Sequence, residues 1–263
     1  MGIVRTVEWK LNCGPDEADA RLRRAMADLG LAPEGPPHSI SAKSKRSLVK
    51  NRWAAELSAD IQAADRGSVV VCRVDMAGTK HFALLSEVIE GMGDDVFDDR
   101  GVGEALQRLG KAGRFFGRKE VRHLRNLLYA SERVVELGQG TYDNNAGLVV
   151  LTTERLFFFE KSLGSETVEE FSLPAISSMT VNKKRGGEKL AIYASGNQSD
   201  IKGMGHGQGD ALVRAFRALK QDREAAASAA TTATADDVMG QLDRLAQLRD
   251  RGVVSAEEFE STK

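Results

Sequence analysis

Apolar and polar positions alternate along the first 92 residues in a way that predicts strands. Val7, Trp9 and Leu11 fall on one side and Thr6, Glu8 and Lys10 on the other, the period-two signature of a half-buried strand. Gly14-Pro15 then opens a helix, with proline where its missing N–H costs nothing. Ala18, Leu22, Met26 and Leu29 form one helical stripe, and Gly30 ends it. After a Pro/Gly turn at 33–37, Trp53, Ala55, Leu57, Ala59 and Ile61 share one strand face, as do Val70, Cys72, Val74 and Met76. A second helix at about 79–90 carries Phe82, Leu85 and Ile89 and stops at Gly91. The order β-α-β-β-β-α predicts an α+β domain over 1–92, with helices on one face of an antiparallel sheet.

A denser pattern occupies 113–221. Residues 148–160 read LVVLTTERLFFFE, two apolar blocks flanking a polar step, which suits strands that bury at least one face completely. Further strands are expected at 167–171, 176–182, 190–194 and 200–202. Turns fall at Asn144-Asn145, Leu163-Gly164, Arg185-Gly186-Gly187 and Gly196-Asn197. Short strands at regular intervals predict a small barrel or sandwich, closed by a helix at about 210–221 bearing Leu212, Val213, Phe216 and Leu219. Between the two patterns, 93–112 is rich in Gly and Asp and reads as a linker. It runs into a basic stretch with Arg108, Lys111, Arg114, Arg118, Lys119, Arg122 and Arg125. There Val121, Leu124 and Leu128 recur at helical spacing, so 118–129 reads as an amphipathic helix.

The last pattern follows an Ala/Thr/Ser tether at 222–235. Val238, Leu242, Leu245 and Leu248 make one stripe, and Gly252 ends it. Ser255 and Glu258 form a capping box with Val254 and Phe259 as its hydrophobic staple. A helical pair this short cannot bury its stripes unaided and needs a partner surface.

The strand–Thr-x-x-Arg–aromatic-strand run at 148–160, preceded by RKEVRHLRNLL and SERVVELGQGTY, resembles bacterial pleckstrin-homology-like (PH-like) domains over 113–221. The resemblance implies a small β-barrel with a capping C-terminal helix. LDRLAQLRDRGVVSAEEFE within 236–263 is similar to the short C-terminal domain called SHOCT, which implies a helical hairpin tail used in oligomerisation; the departure is that Lys263 truncates the second helix, whose last turn is expected to be weak. The PH-like resemblance does not bring a phosphoinositide role with it. The loop at 139–147, between the first two strands, carries Asp143 and no Lys or Arg.

Composition narrows the function classes. A net charge of −1 leaves any nucleic acid or membrane to a local patch. Cys13 and Cys72 sit in apolar surroundings and read as reduced core residues of a cytoplasmic protein; neither a signal-peptide pattern nor a long apolar span stands in the chain. His38, His81, His123 and His206 are scattered, and the Gly-rich KGMGHGQGD around His206 matches no phosphate-loop spacing. We therefore expect no catalytic residue, metal, cofactor or small-molecule substrate.

Three contact sets remain. Leu242, Leu245, Leu248, Val254 and Phe259 are the expected contact for a second copy or a protein partner, which makes the leading reading a non-enzymatic scaffold or adaptor. Arg114, Arg118, Lys119, Arg122 and Arg125 are the candidate contact for an anionic membrane surface. The structural alternative docks that helix on the barrel, with the acidic residues at 94–99 neutralising its arginines. Lys43, Lys45, Arg46, Lys50 and Arg52, running into Trp53, are candidate nucleic-acid contacts, set against a solvated hairpin loop.

Overall fold

A computed structural model describes residues 2–49, 51–110, 118–160 and 168–228. The first sheet contains β1 (Ile3–Leu11), β2 (Ser39–Ser44), β3 (Ala55–Ala63) and β4 (Ser68–Met76) in the order β1-β4-β3-β2, antiparallel throughout. Alternation does what the sequence predicts. Val7, Trp9, Leu11, Ile40, Leu57, Ile61, Val70, Cys72 and Val74 enter one core with the helices α1 (Pro15–Asp28) and α2 (His81–Met92). Burial pushes the Cys72 thiol up to about 12, so it is neutral and unreactive at physiological pH.

Two local expectations need correction. Gly91 does not end α2. The helix runs on to Met92, and Gly91 instead lets α2 approach α1, because a Cβ there would lie 2.8 Å from that of Ala25. Trp53 does not share the buried face of β3. It precedes the strand and is 49% exposed.

The second sheet contains β5 (Val134–Tyr142), β6 (Asn145–Thr152), β7 (Arg155–Glu160), β8 (Val168–Ser172), β9 (Ile176–Lys184), β10 (Gly187–Ala194) and β11 (Asn197–Met204). Its order is β8-β7-β6-β5-β11-β10-β9, again antiparallel. The β5–β6 and β10–β11 turns are two-residue turns with positive φ at Asp143-Asn144 and Ser195-Gly196, a geometry that matches strand twist. The turn expected at Leu163-Gly164 lies outside the described residues.

The dense blocks of β6 and β7 are buried on both faces. Leu148, Val150, Phe157 and Phe159 face a cluster with Val102, Ala105, Leu109, Leu124 and Leu128. Those residues belong to α3 (Val102–Leu109) and to α4 (Arg118–Leu127) with the residue just beyond it. The stretch 93–112 thus carries a helix whose apolar stripe covers the second sheet, where composition alone suggested a linker. Gly101 makes the approach possible: its φ is +83°, and a Cβ would meet the Val134 carbonyl at 2.5 Å.

A last helix, α5, spans 208–228. Its start is held by Glu188, whose carboxylate accepts hydrogen bonds from the Gly207 and Gly209 N–H groups at 2.8 Å each, where anionic charge suits a helix N-terminus. It continues past the expected start of the tether because Glu224, Ala225, Ala226 and Ala227 are strong helix formers. The first compact unit of the chain ends at Ala215.

Candidate functional site

Helix α4 joins the two sheets, and its charges decide what the basic stretch can do. Arg125 donates to Asp94 Oδ1 at 2.7 Å and lies over the Phe97 ring, 4.9 Å from its centroid. Arg122 pairs with Glu90 at 3.0 Å and with Asp94 at 3.5 Å. Both arginines are only 9% exposed, so as anion or membrane contacts they are corrected: each neutralises an acidic group at the joint. Arg114 lies outside the described residues; Arg118 and Lys119 are in the first turn of α4.

Burial works to raise the Asp94 pKa, but hydrogen bonds from Arg125 and Arg122 outweigh it and hold the carboxyl below its ordinary value. A depressed carboxylate stabilises the fold above its unfolded pKa, and that stability is lost as pH falls through the native value. Asp94→Asn should therefore be clearly less stable than wild type at about pH 7, and the gap should narrow as pH falls below about 4 and on through the depressed native value. Urea midpoints of the two proteins at each pH check this; a gap independent of pH would show that charge is not what Asp94 contributes.

Arg100 caps the far end of α4. Its guanidinium donates to the carbonyls of Tyr129 at 2.8 Å, Arg125 at 3.2 Å and Leu128 at 3.3 Å, a cation placed where helix carbonyls lack partners. Burial lowers its pKa to about 10, which still leaves it charged at neutral pH.

The Thr-x-x-Arg step between β6 and β7 is a lock. Arg155 donates from Nε to Glu132 Oε1 at 2.7 Å and from Nη2 to Glu132 Oε2 at 3.1 Å. It also bonds the Leu127 carbonyl at 2.6 Å, pairs with Glu170, and stacks over Tyr129, 4.1 Å from the ring centroid. Burial works against its charge, but Glu132 outweighs that and raises the Arg155 pKa. Thr152 Oγ1 accepts from the N–H groups of Glu154 and Arg155, and its one hydroxyl proton has two acceptors in reach, Glu132 Oε1 at 3.1 Å and the Arg155 carbonyl at 3.0 Å. Arg155, Tyr129, Phe82 and Arg5 border a shallow groove of about 440 Å³ beside β1.

The basic residues at 43–52 are not equivalent. Lys43 pairs with Glu56 at 2.9 Å. Arg52 is 7% exposed and pairs with Glu87 of α2 at 3.0 Å, so as a nucleic-acid contact it is corrected: it anchors the hairpin. Lys45 and Arg46 are exposed, and the Arg46 guanidinium lies 4.2 Å from the Trp53 ring centroid. Lys50 lies outside the described residues. Between these cations, Leu48 and Val49 are 80% and 99% exposed. Charge counting passes over this pair; the signal for it is an apolar dipeptide inside KRSLVKNR. The tail residues Leu242, Leu245, Leu248, Val254 and Phe259 all lie outside the described residues.

Among the described residues, no group of three or more His, Cys, Asp or Glu side chains could hold a metal ion, and no helix is long and apolar enough to cross a membrane.

Residues 128–218 match the family model of the bacterial PH domain. The match spans the second sheet and the first part of α5, less than half of the chain; the sheet and the helix after it are consistent with a PH-like domain, a type of module that suggests a binding or adaptor role. Among solved structures, the C-terminal domain of an unknown protein from Leishmania infantum is similar at 14% identity, covering 35% of this chain and 84% of that chain with a TM-score of 0.29. No curated protein matches the chain.

Proposed function

We propose that the protein is a non-enzymatic scaffold or adaptor that self-associates or recruits a protein partner. The PH-like match at 128–218 is the observation that carries this reading. Within that domain, the motif's own polar groups hold one another: Glu132, Thr152 and Arg155 form a closed network. In this reading the seven strands curl into a small barrel capped by the first turns of α5. The SHOCT-like pair at 236–263 supplies the contact through Leu242, Leu245, Leu248, Val254 and Phe259, and the protein works in the bacterial cytoplasm. Burying each of these side chains is worth about 1.5–3 kcal/mol, enough in sum to drive assembly.

The test is absolute mass by light scattering during gel filtration, on the full chain and on Leu245→Asp. A multimer that becomes monomeric on substitution, with an unchanged melting profile, supports the reading. A wild type already monomeric and retaining no protein partner in cross-linking, or a variant of unchanged multimeric mass, overturns the role of the tail.

A further inference from the structure

The β2–β3 hairpin tip is built to present an apolar apex between cations. Ser47 and Arg52 exchange backbone hydrogen bonds at 2.8 and 2.9 Å, closing the loop, and the Asn51 N–H bonds the Leu48 carbonyl at 3.2 Å. Arg52, held by Glu87, ties the base of the loop to α2. These bonds tie down both sides of the loop, and Leu48 and Val49 stand in solvent. Lys45 and Arg46 flank them on one side, and Trp53 stands half-exposed at the base under the Arg46 guanidinium.

We propose that this tip docks on an anionic lipid bilayer. Leu48 and Val49 enter the acyl boundary, Lys45 and Arg46 meet lipid phosphates, and Trp53 sits at headgroup level, where amphipathic rings are favoured. Size and charge favour a bilayer over a protein. A standard protein interface buries about 800 Å² on each partner, far more than two aliphatic side chains supply. The neighbouring sheet face extends the apex with charges of both signs, Lys43, Glu56, Arg73 and Asp75, rather than with apolar surface. A bilayer needs only the apex. This surface is distinct from the arginines of α4, which are engaged at the joint between the sheets.

The experiment sediments the full chain with vesicles of phosphatidylcholine alone or mixed with phosphatidylserine, at low and high salt. We expect binding to the anionic vesicles only, weakened by salt, with a blue shift of Trp53 emission. Trp9, the other of the two tryptophans, is already fully buried and should not respond. Leu48→Asp/Val49→Asp should weaken partitioning by at least roughly tenfold. Lys45→Ala and Arg46→Ala should each weaken it by about fivefold. Melting profiles should be unchanged, because these side chains are exposed in the native fold. No binding by wild type, or undiminished binding by the aspartate pair, overturns the proposal. Loss on removing the cations but not the apolar pair would make the tip a general anion surface, such as one for nucleic acid, and also overturns it. So would a change in the mass of the aspartate variant without vesicles, which would mark a protein contact.

Discussion

Glu132→Ala should lower the unfolding free energy by about 3–5 kcal/mol, the cost of stranding a buried charge without its partner. Glu132 has no solvent exposure and binds both Nε and Nη2 of Arg155. It also accepts the Tyr129 N–H at 2.9 Å, which fixes the turn leading from α4 into β5. Removing it leaves the Arg155 guanidinium with the Leu127 carbonyl, the Glu170 carboxylate and the Tyr129 ring, none of which restores two-point neutralisation. Glu132→Gln, which keeps shape and one acceptor, should cost less. Replacing both partners with apolar residues of similar volume, Glu132→Leu with Arg155→Met, should recover most of the loss, because no buried charge is then left unpaired and Glu170, released from Arg155, is exposed. Urea denaturation of the four proteins measures this. A single Glu132→Ala variant within about 0.5 kcal/mol of wild type, the range of an ordinary surface substitution, would refute the lock.

Trp9→Ala should cost a similar amount, about 3–5 kcal/mol, through the cavity left in the first core. Trp9 is fully buried, packs edge-on against Phe97 at 6.3 Å between centroids, and donates its indole N–H to Asn126 Oδ1 at 2.8 Å. That bond crosses from the first sheet to α4, and Asn126 in turn reaches Ser86 of α2 at 3.2 Å. Trp9→Phe separates the two contributions. It retains most of the packing but leaves the Asn126 oxygen without its donor, a loss of about 1–3 kcal/mol. A mutant cycle of Trp9→Phe with Asn126→Leu should show coupling of at least about 0.5 kcal/mol if the indole bond joins the two elements. Strict additivity would mean that it does not.

Much of the architecture is legible in local pattern. Period-two alternation located β1, β3 and β4, and helical stripes located α1 and α2, because burial on one face repeats with the backbone's own geometry. Most later strands of the second sheet lie within a few residues of the expected ranges, since several of their turns are marked by Gly and Asn at positive φ; 139–147, read as a loop, instead belongs to β5 and β6 except at the Asp143-Asn144 turn. The run LVVLTTERLFFFE announced strands buried on at least one face. It did not say that α3 and α4 cover the second face, because an eight-residue helix in a Gly/Asp-rich stretch has little local signal.

The candidate sites were legible in kind but not in accessibility. Composition located the cations. Whether each is exposed depends on acids far away in the chain: Glu87 for Arg52, Asp94 for Arg122 and Arg125. Leu48 and Val49 show the converse. By composition they are core residues, and only the tight turn at the hairpin tip places them in solvent.

The sequence by itself determined the α+β class, the strand and helix periods and the PH-like signature, because each is written in residues close together along the chain. Tertiary structure alone decided which charges are neutralised and which apolar side chains face water. Ion pairs and burial join residues distant in sequence, and no local pattern encodes that distance.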